Sequence, residues 1–145
     1  MSEDAAVTIV VGWTPDEFGE VALHRGVEEA RLRGGRVVVV NATRGDALVD
    51  ERYADEDQQA RLTTELSSSG VEVDVRRSMG ADVGDQVLAV AEDVSADLVV
   101  IGLRRRSPVG KLLMGSVAQR ILLGADCAVL AVKPCPPAQV LLLPD

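Results

Sequence analysis

Short runs of β-branched residues alternate along this chain with longer stretches of helical period; four of the runs are almost wholly apolar, and in the third, valines alternate with charged residues. The runs have the length and β-branched composition of buried or half-buried strands. In chain order they cover residues 7–13, 36–42, 71–76, 98–102 and 128–132. Strands separated by helix-length crossovers pair in parallel, and right-handed crossovers place helices on both faces of the sheet. The alternation therefore predicts an α/β fold built on a parallel sheet.

The stretches between the apolar runs predict four helices. They cover residues 16–33, 55–69, 82–94 and 115–125, approximately. Gly34-Gly35 follows the first helix and supplies the left-handed conformation in which many helices end. Asp82 and Asp85 stand at the start of the third helix, where a negative charge favours the positive end of the dipole. Valines alternate with charged residues in the third strand, which predicts an edge position for it.

Length and composition exclude several classes of function. The 145 residues fit one domain over 1–145, and 15 Lys+Arg against 23 Asp+Glu argue against nucleic-acid binding. The single histidine, His24, and the cysteines Cys127 and Cys135 have the spacing neither of a metal site nor of a disulfide framework. There is no apolar run of about twenty residues and no basic start typical of a secretory signal. We therefore expect a cytoplasmic protein without a metal or a membrane span.

The end of the sequence, residues 134–145, is an apolar tail. Its prolines break regular structure, and residues 140–143 (VLLL) are wholly aliphatic. Four consecutive exposed aliphatic side chains favour aggregation, so we expect the tail to be covered. The cover is either the partner subunit of a symmetric dimer or the fourth helix of the same chain.

The stretch that points most clearly to chemistry is residues 101–120 (IGLRRRSPVGKLLMGSVAQR). A basic loop follows the fourth strand, with its charges at Arg104, Arg105, Arg106 and Lys111. Gly115-Ser116 then opens a helix, whose free N–H groups and dipole attract anions. Ser116 either caps that helix or offers its hydroxyl to a phosphate. Ligands bind such sheets outside the carboxyl ends of the strands, so an anion site is predicted here, against the alternative of a solvated basic loop.

Two well-known phosphate motifs do not fit the sequence. A Walker A loop ending at Lys111 requires glycine at position 105 and Ser or Thr at 112, where Arg105 and Leu112 stand. The dinucleotide fingerprint requires its glycines in the turn after the first strand, where residues 13–15 read WTP.

With these residues the chain resembles the universal stress protein family over nearly its full length. The nucleotide-binding branch of that family carries Gly-x2-Gly-x9-Gly-(Ser/Thr) between the fourth strand and the fourth helix. Here Gly102 matches the first glycine, Arg105 stands at the second, and Gly115-Ser116 match the end. Two longer stretches are also similar to the family, VEEARLRGGRVVVVNA after the first strand and SVAQRILLGADCAVLAVKP from the fourth helix onward.

The resemblance implies a Rossmann-like three-layer sandwich with strand order 3-2-1-4-5, and commonly a homodimer joined through the last strand. In ATP-binding members the glycine loop holds ribose and phosphates, and the ends of strands one and two hold adenine. Carried over by position, ATP or another adenine nucleotide would contact Thr14, Ala42, Ile101, Gly102, Arg105, Gly115, Ser116 and Val117.

Two positions depart from the family pattern. Thr14 stands where an acidic residue usually contacts the nucleotide, and Asp16 lies two residues further on. Arg105 replaces a glycine whose missing side chain lets the backbone approach a phosphate closely. The arginine either fills the phosphate pocket or turns inward as a bidentate donor.

The sequence therefore predicts a stress-response module that acts by nucleotide binding and dimerisation. The alternative is a dimeric interaction protein of the same fold that binds no nucleotide. Slow ATP hydrolysis ranks last, because the loop holds no evident base or metal-binding acid. An Arg105→Gly substitution tests the role of this residue. It raises the affinity for a nucleotide if Arg105 blocks the pocket and lowers that affinity if Arg105 pairs with phosphate.

Overall fold

The computed structural model describes residues 7–43, 56–80, 82–103 and 115–134. Strands and helices alternate strictly over these ranges. The strands are β1 (Thr8–Gly12), β2 (Arg36–Thr43), β3 (Val73–Met79), β4 (Leu98–Gly102) and β5 (Ala128–Val132). The helices are α1 (Glu17–Arg33), α2 (Glu56–Ser67), α3 (Val83–Asp93) and α4 (Ser116–Gly124). In the part of the chain described, no helix is long and apolar enough to cross a membrane.

The strands form one parallel sheet in the order β3-β2-β1-β4-β5. At its centre Val11 of β1 pairs with Val39 of β2 on one side and with Val100 of β4 on the other. The predicted α/β class and strand order are confirmed. The direction of winding reverses between β1 and β4, so the carboxyl ends of these two strands flank the switch point of the sheet.

Each face of the sheet carries its own apolar layer. Ile9 and Val11 of β1 belong to one buried cluster with residues of α1 and α2. Val10 belongs to a second cluster with residues of α3 and α4. Since successive side chains of a strand point to opposite faces, the near-continuous apolar runs are explained by helices on both sides. The result is the expected three-layer sandwich.

The predicted third strand was placed too early in the sequence. The alternation that predicted it covers residues 71–76, whereas β3 runs from Val73 to Met79. Its pairing with β2 extends from Val73 opposite Val37 to Met79 opposite Thr43. Parallel pairing is made by backbone groups, so the polar end of β3 joins the sheet without an apolar pattern to mark it.

Helix α1 begins immediately beyond the carboxyl end of β1. Its cap residue is Asp16, whose Oδ1 accepts hydrogen bonds from the N–H groups of Phe18 (3.1 Å) and Gly19 (3.0 Å). The Thr14 hydroxyl donates to the same oxygen at 2.6 Å. The helix ends at Gly34, whose φ of 67° is the predicted left-handed cap. The cap at Asp16 therefore fixes both the start of α1 and the loop that follows β1.

Replacing Asp16 by alanine is expected to lower the free energy of unfolding by about 1–2 kcal/mol, because two N–H groups of α1 lose their acceptor. Urea denaturation measures the loss. Glu28→Ala is the matched control, since Glu28 lies exposed in the middle of α1 and its ion pair with Arg25 is long, at 3.9 Å. Equal stability losses in the two variants would contradict a capping role for Asp16.

Candidate functional site

A cavity of about 310 Å³ opens at the switch point of the sheet. Its walls come from the carboxyl ends of β1, β2 and β4, from the starts of α1 and α3, and from the first turns of α4. This volume lies at the small end of the range usual for small-molecule sites. The position is the one that the parallel topology favours for a ligand.

The structure brings together seven of the eight residues predicted to bind a nucleotide. The seven that line the cavity are Thr14, Ala42, Ile101, Gly102, Gly115, Ser116 and Val117. The eighth, Arg105, lies outside the described residues, as do the other charges of the basic loop, Arg104, Arg106 and Lys111. The clustering is a structural result, and the binding role of these residues stays a prediction.

Two helices contribute walls that sequence reasoning missed. Phe18 and Gly19 of α1 line the cavity, and so do Val83 and Val87 of α3. Phe18 and Gly19 could have been predicted from the short connection between β1 and α1, because this connection holds the first turn of α1 at the same edge of the sheet. For the second pair, the helical spacing of the valines in α3 does not indicate which of them reach the cavity.

The first turn of α4 holds three backbone N–H donors that have no acceptor within the helix. The cap residue is Gly115, so the option that Ser116 caps the helix is wrong, and Ser116 is the first helical residue. The intrahelical bonds begin with the Gln119 N–H, which donates to the Gly115 carbonyl at 2.9 Å. The N–H groups of Ser116, Val117 and Ala118 precede it, and no carbonyl within the helix is placed to accept from them. All three residues line the cavity.

The starts of α1 and α3 differ from the start of α4, because an aspartate caps each of them. Asp16 accepts from two N–H groups of α1, and Asp82 accepts from the Asp85 N–H at 2.8 Å. The first turn of α4 contains no acidic residue. A carboxylate cap neutralises the positive end of a helix dipole, so α4 keeps a positive end that α1 and α3 have lost.

The described walls of the cavity contain no Asp, Glu, Lys or Arg. Thr14 and Ser116 bring hydroxyl groups to these walls, whereas the side chain of Trp13 is buried in the apolar layer of α1 and α2. The Thr14 hydroxyl is already bonded to Asp16, whose carboxylate serves as the α1 cap. Nor do three His, Cys, Asp or Glu residues come together as a metal site anywhere in the described ranges.

Arg120 on α4 does not bring a positive charge to the cavity wall. Its Nε lies 2.6 Å from Oδ1 of Asp85 on α3, and both side chains are more than half exposed. The hydrogen bond to Asp85, together with the attraction of that carboxylate, raises the pKa of Arg120 above its ordinary value. This surface pair connects α4 to α3 outside the cavity.

Two of the cavity glycines are required by the packing of α1 on the sheet. A Cβ on Gly102 would lie 2.2 Å from the carbonyl oxygen of Phe18, and a Cβ on Gly19 would lie 1.7 Å from that of Thr14. Both obstacles are backbone atoms, which cannot rotate away as a side chain can. Gly102, the first glycine of the motif, is therefore explained by helix packing alone.

The other two cavity glycines have no such packing role. A Cβ on Gly12 would make an ordinary contact of 3.4 Å with Ile101, and a Cβ on Gly115 would meet no atom of the described residues within 4 Å. The backbone angles of Gly115, φ −66° and ψ 159°, are open to any residue. The local structure therefore does not explain the glycine at position 115.

Comparisons with known proteins agree on one family. The sequence profile described as the universal stress protein family matches residues 7–133 of this chain. A universal stress protein of Mycolicibacterium smegmatis is 47% identical over 126 residues, which are 87% of this chain and 97% of the relative.

Solved structures give the same result. The universal stress protein from Archaeoglobus fulgidus superimposes with a TM-score of 0.71 at 28% identity, covering 88% of this chain and 93% of that one. A structure of the universal stress protein from the same organism in complex with dAMP gives a TM-score of 0.67, also at 28% identity. In that case 89% of this chain and 99% of the other are covered.

Gly102→Ala is expected to lower the free energy of unfolding by about 2 kcal/mol or more, because the new methyl group meets the Phe18 carbonyl. Gly115→Ala is the matched comparison and is expected to change stability by less than about 0.5 kcal/mol. Urea denaturation of both variants measures the difference. An unaffected Gly102→Ala variant would contradict the close approach of α1 to β4.

Proposed function

This chain belongs to the universal stress protein family, and from that premise we propose that it binds an adenine nucleotide in the switch-point cavity. In this proposal the protein is a stress-response module that acts through binding. The observation that carries it is the start of α4, which has no side-chain cap and adjoins a cavity whose described walls hold no charged side chain.

The phosphate of the ligand is proposed to lie at the start of α4. Three consecutive N–H groups are available there, and the helix dipole favours an anion. The Ser116 hydroxyl lines the same end of the cavity and adds a fourth donor. No described carboxylate in the cavity walls opposes the negative charge, since Asp16 is engaged at the α1 cap.

The base is proposed to lie against the apolar part of the cavity. Val40 and Ala42 at the end of β2 and Ile101 at the end of β4 line this part. Apolar walls with a few placed polar groups are the usual composition of small-molecule sites. The dAMP complex of the Archaeoglobus fulgidus protein, at 28% identity and with 99% of that chain covered, supports an adenine nucleotide as the ligand.

Binding without turnover is the form of the proposal that fits these walls best. Hydrolysis of a phosphate ester requires a group that activates water or holds a metal ion. Among the described walls, the polar side chains are the hydroxyls of Thr14 and Ser116, neither of which is a base near neutral pH.

Releasing bound material from the purified protein by denaturation, followed by mass spectrometry, tests the proposal. We expect an adenine nucleotide at a ratio approaching one per chain. An empty extract, combined with no thermal shift on addition of AMP or ATP at millimolar concentration, would overturn nucleotide binding. That result would favour the interaction protein instead.

Gly115→Ala is expected to weaken AMP binding about tenfold, because a methyl group at the helix cap keeps a phosphate from the free N–H groups. Isothermal titration calorimetry measures the change. Gln119→Ala is the control, since Gln119 is exposed on the same helix and does not line the cavity. Unchanged affinity for AMP in the Gly115 variant would show that the start of α4 does not bind the phosphate.

The second candidate function, interaction through a dimer surface, is supported by β5. This edge strand is wholly apolar, yet its first residue is exposed and the other four are only partly buried. Leu123 of the neighbouring α4 is 80% exposed. We propose that a second copy of the chain covers this edge, with the tail at 134–145 contributing; of that tail the structure describes Pro134 alone.

Deleting residues 139–145 is expected to shift the protein from dimer toward monomer, because the aliphatic tail is lost from the proposed interface. Analytical ultracentrifugation over a range of concentrations measures the shift. Sedimentation identical to that of the full chain would exclude the tail from the dimer contact.

A further inference from the structure

Helix α4 is positioned chiefly by α3, its neighbour on the same face of the sheet. Ile121 of α4 belongs to the apolar cluster that also holds Val87 of α3. Among the described elements, α4 packs more extensively against α3 than against any strand. The start of α4 has no side-chain cap of its own. The position of its free N–H groups therefore depends on how α4 is attached to α3.

Two glycines let these helices approach closely. A Cβ on Gly84 of α3 would lie only 2.9 Å from the Cβ of Arg120 on α4. One turn further along, a Cβ on Gly124 of α4 would lie 2.7 Å from Cδ1 of Leu88 on α3. The two contacts set the helices side by side in the same direction with a fixed offset. Counted back one turn from Arg120, the first turn of α4 extends beyond the start of α3.

An ion pair joins the helices at the first of these contacts. The stem of Arg120 lies against Gly84, and its Nε lies 2.6 Å from Oδ1 of the next residue, Asp85. The carboxylate of Asp82, which caps the same helix, also attracts the guanidinium. Exposed ion pairs usually add little to the stability of a fold. This pair, however, connects the start of α3 to the turn of α4 that follows the free N–H groups.

Resting on the proposed function, we propose that Arg120 and Asp85 are positioning residues for phosphate binding. Arg120 stands one turn after Ser116 on the same face of α4, and the ion pair restrains this part of the helix against α3. The free N–H groups and the Ser116 hydroxyl are thereby held in one position beside the cavity. Donors that are already in place lose less entropy when a phosphate binds. Neither charged side chain lines the cavity, so their effect on the ligand passes through α4.

Asp85→Ala tests the proposal, because positioning and simple electrostatics predict opposite results. Loss of a nearby negative charge would by itself strengthen the binding of an anion. Loss of the restraint on α4 is expected to weaken AMP binding about threefold. The affinity for adenosine, which lacks the phosphate, is expected to stay the same. Titrations followed in the ¹H–¹⁵N spectrum measure both affinities.

Gly84→Ala gives a second test that changes no charge. Its new methyl group meets the Cβ of Arg120, so α4 has to move away from α3. We expect AMP to bind about three- to tenfold more weakly, again with the adenosine affinity retained.

Two variants serve as controls. Glu92→Ala removes an exposed carboxylate from the far end of α3 and is expected to keep both affinities. Asp85→Glu keeps a carboxylate that can reach Arg120, so it is expected to retain most of the AMP affinity.

The outcomes separate this inference from the proposed function. If AMP binds the unaltered chain and binds Asp85→Ala equally or more tightly, the positioning role is overturned and nucleotide binding stands. Equal losses for AMP and adenosine would also overturn it, since they indicate a general disturbance of the cavity. If AMP does not bind the unaltered chain, the proposed function is overturned as well. Should Gly84→Ala fail to fold, Asp85→Ala decides alone.

Discussion

The site depends on how closely the first turn of α1 approaches the ends of β1 and β4. The carbonyl of Phe18 occupies the space that a side chain at Gly102 would need, and the carbonyl of Thr14 does the same at Gly19. Because backbone meets backbone there, α1 closes one side of the switch point without filling it. The start of α4 lies on another side of the same opening. The cavity thus results from close packing at one edge of the sheet and from the absence of side chains at two glycines.

The distribution of charge follows from this arrangement. The loop after β1 places its carboxylate at Asp16, where three donors engage it. The family's usual acidic position holds Thr14, whose hydroxyl is one of those donors. Among the described residues, negative charge thereby lies at the start of α1 and not on the cavity wall, and the groups suited to an anion are backbone donors of α4. Backbone donors recognise a phosphate without requiring a charged side chain.

The sequence predicted the strands best where apolar runs end abruptly. The limits of β4 and β5 were correct to the residue; Asp97 and Gly102 mark the two ends of β4, and Lys133 follows β5. The limits of β3 were not, since its second half pairs through backbone groups alone. Within the site, the glycine motif located α4, but the packing role of Gly102 depends on the distant Phe18 carbonyl. No local pattern indicates a contact between residues 84 positions apart.

The uncapped start of α4 also links the cavity to the stability of the fold. A helix without a capping group is less stable by about 1 kcal/mol than one with a good cap. An anion bound to the free N–H groups at Ser116 takes the place of that cap, so α4 is held more firmly when the cavity is filled. By mass action, the fraction of molecules in which α4 is firmly held then rises with ligand concentration. Since α4 precedes β5 at the edge of the sheet, a change in the order of this helix would reach the surface beside β5. If a nucleotide binds there as proposed, the missing cap couples occupancy of the cavity to the surface beside β5.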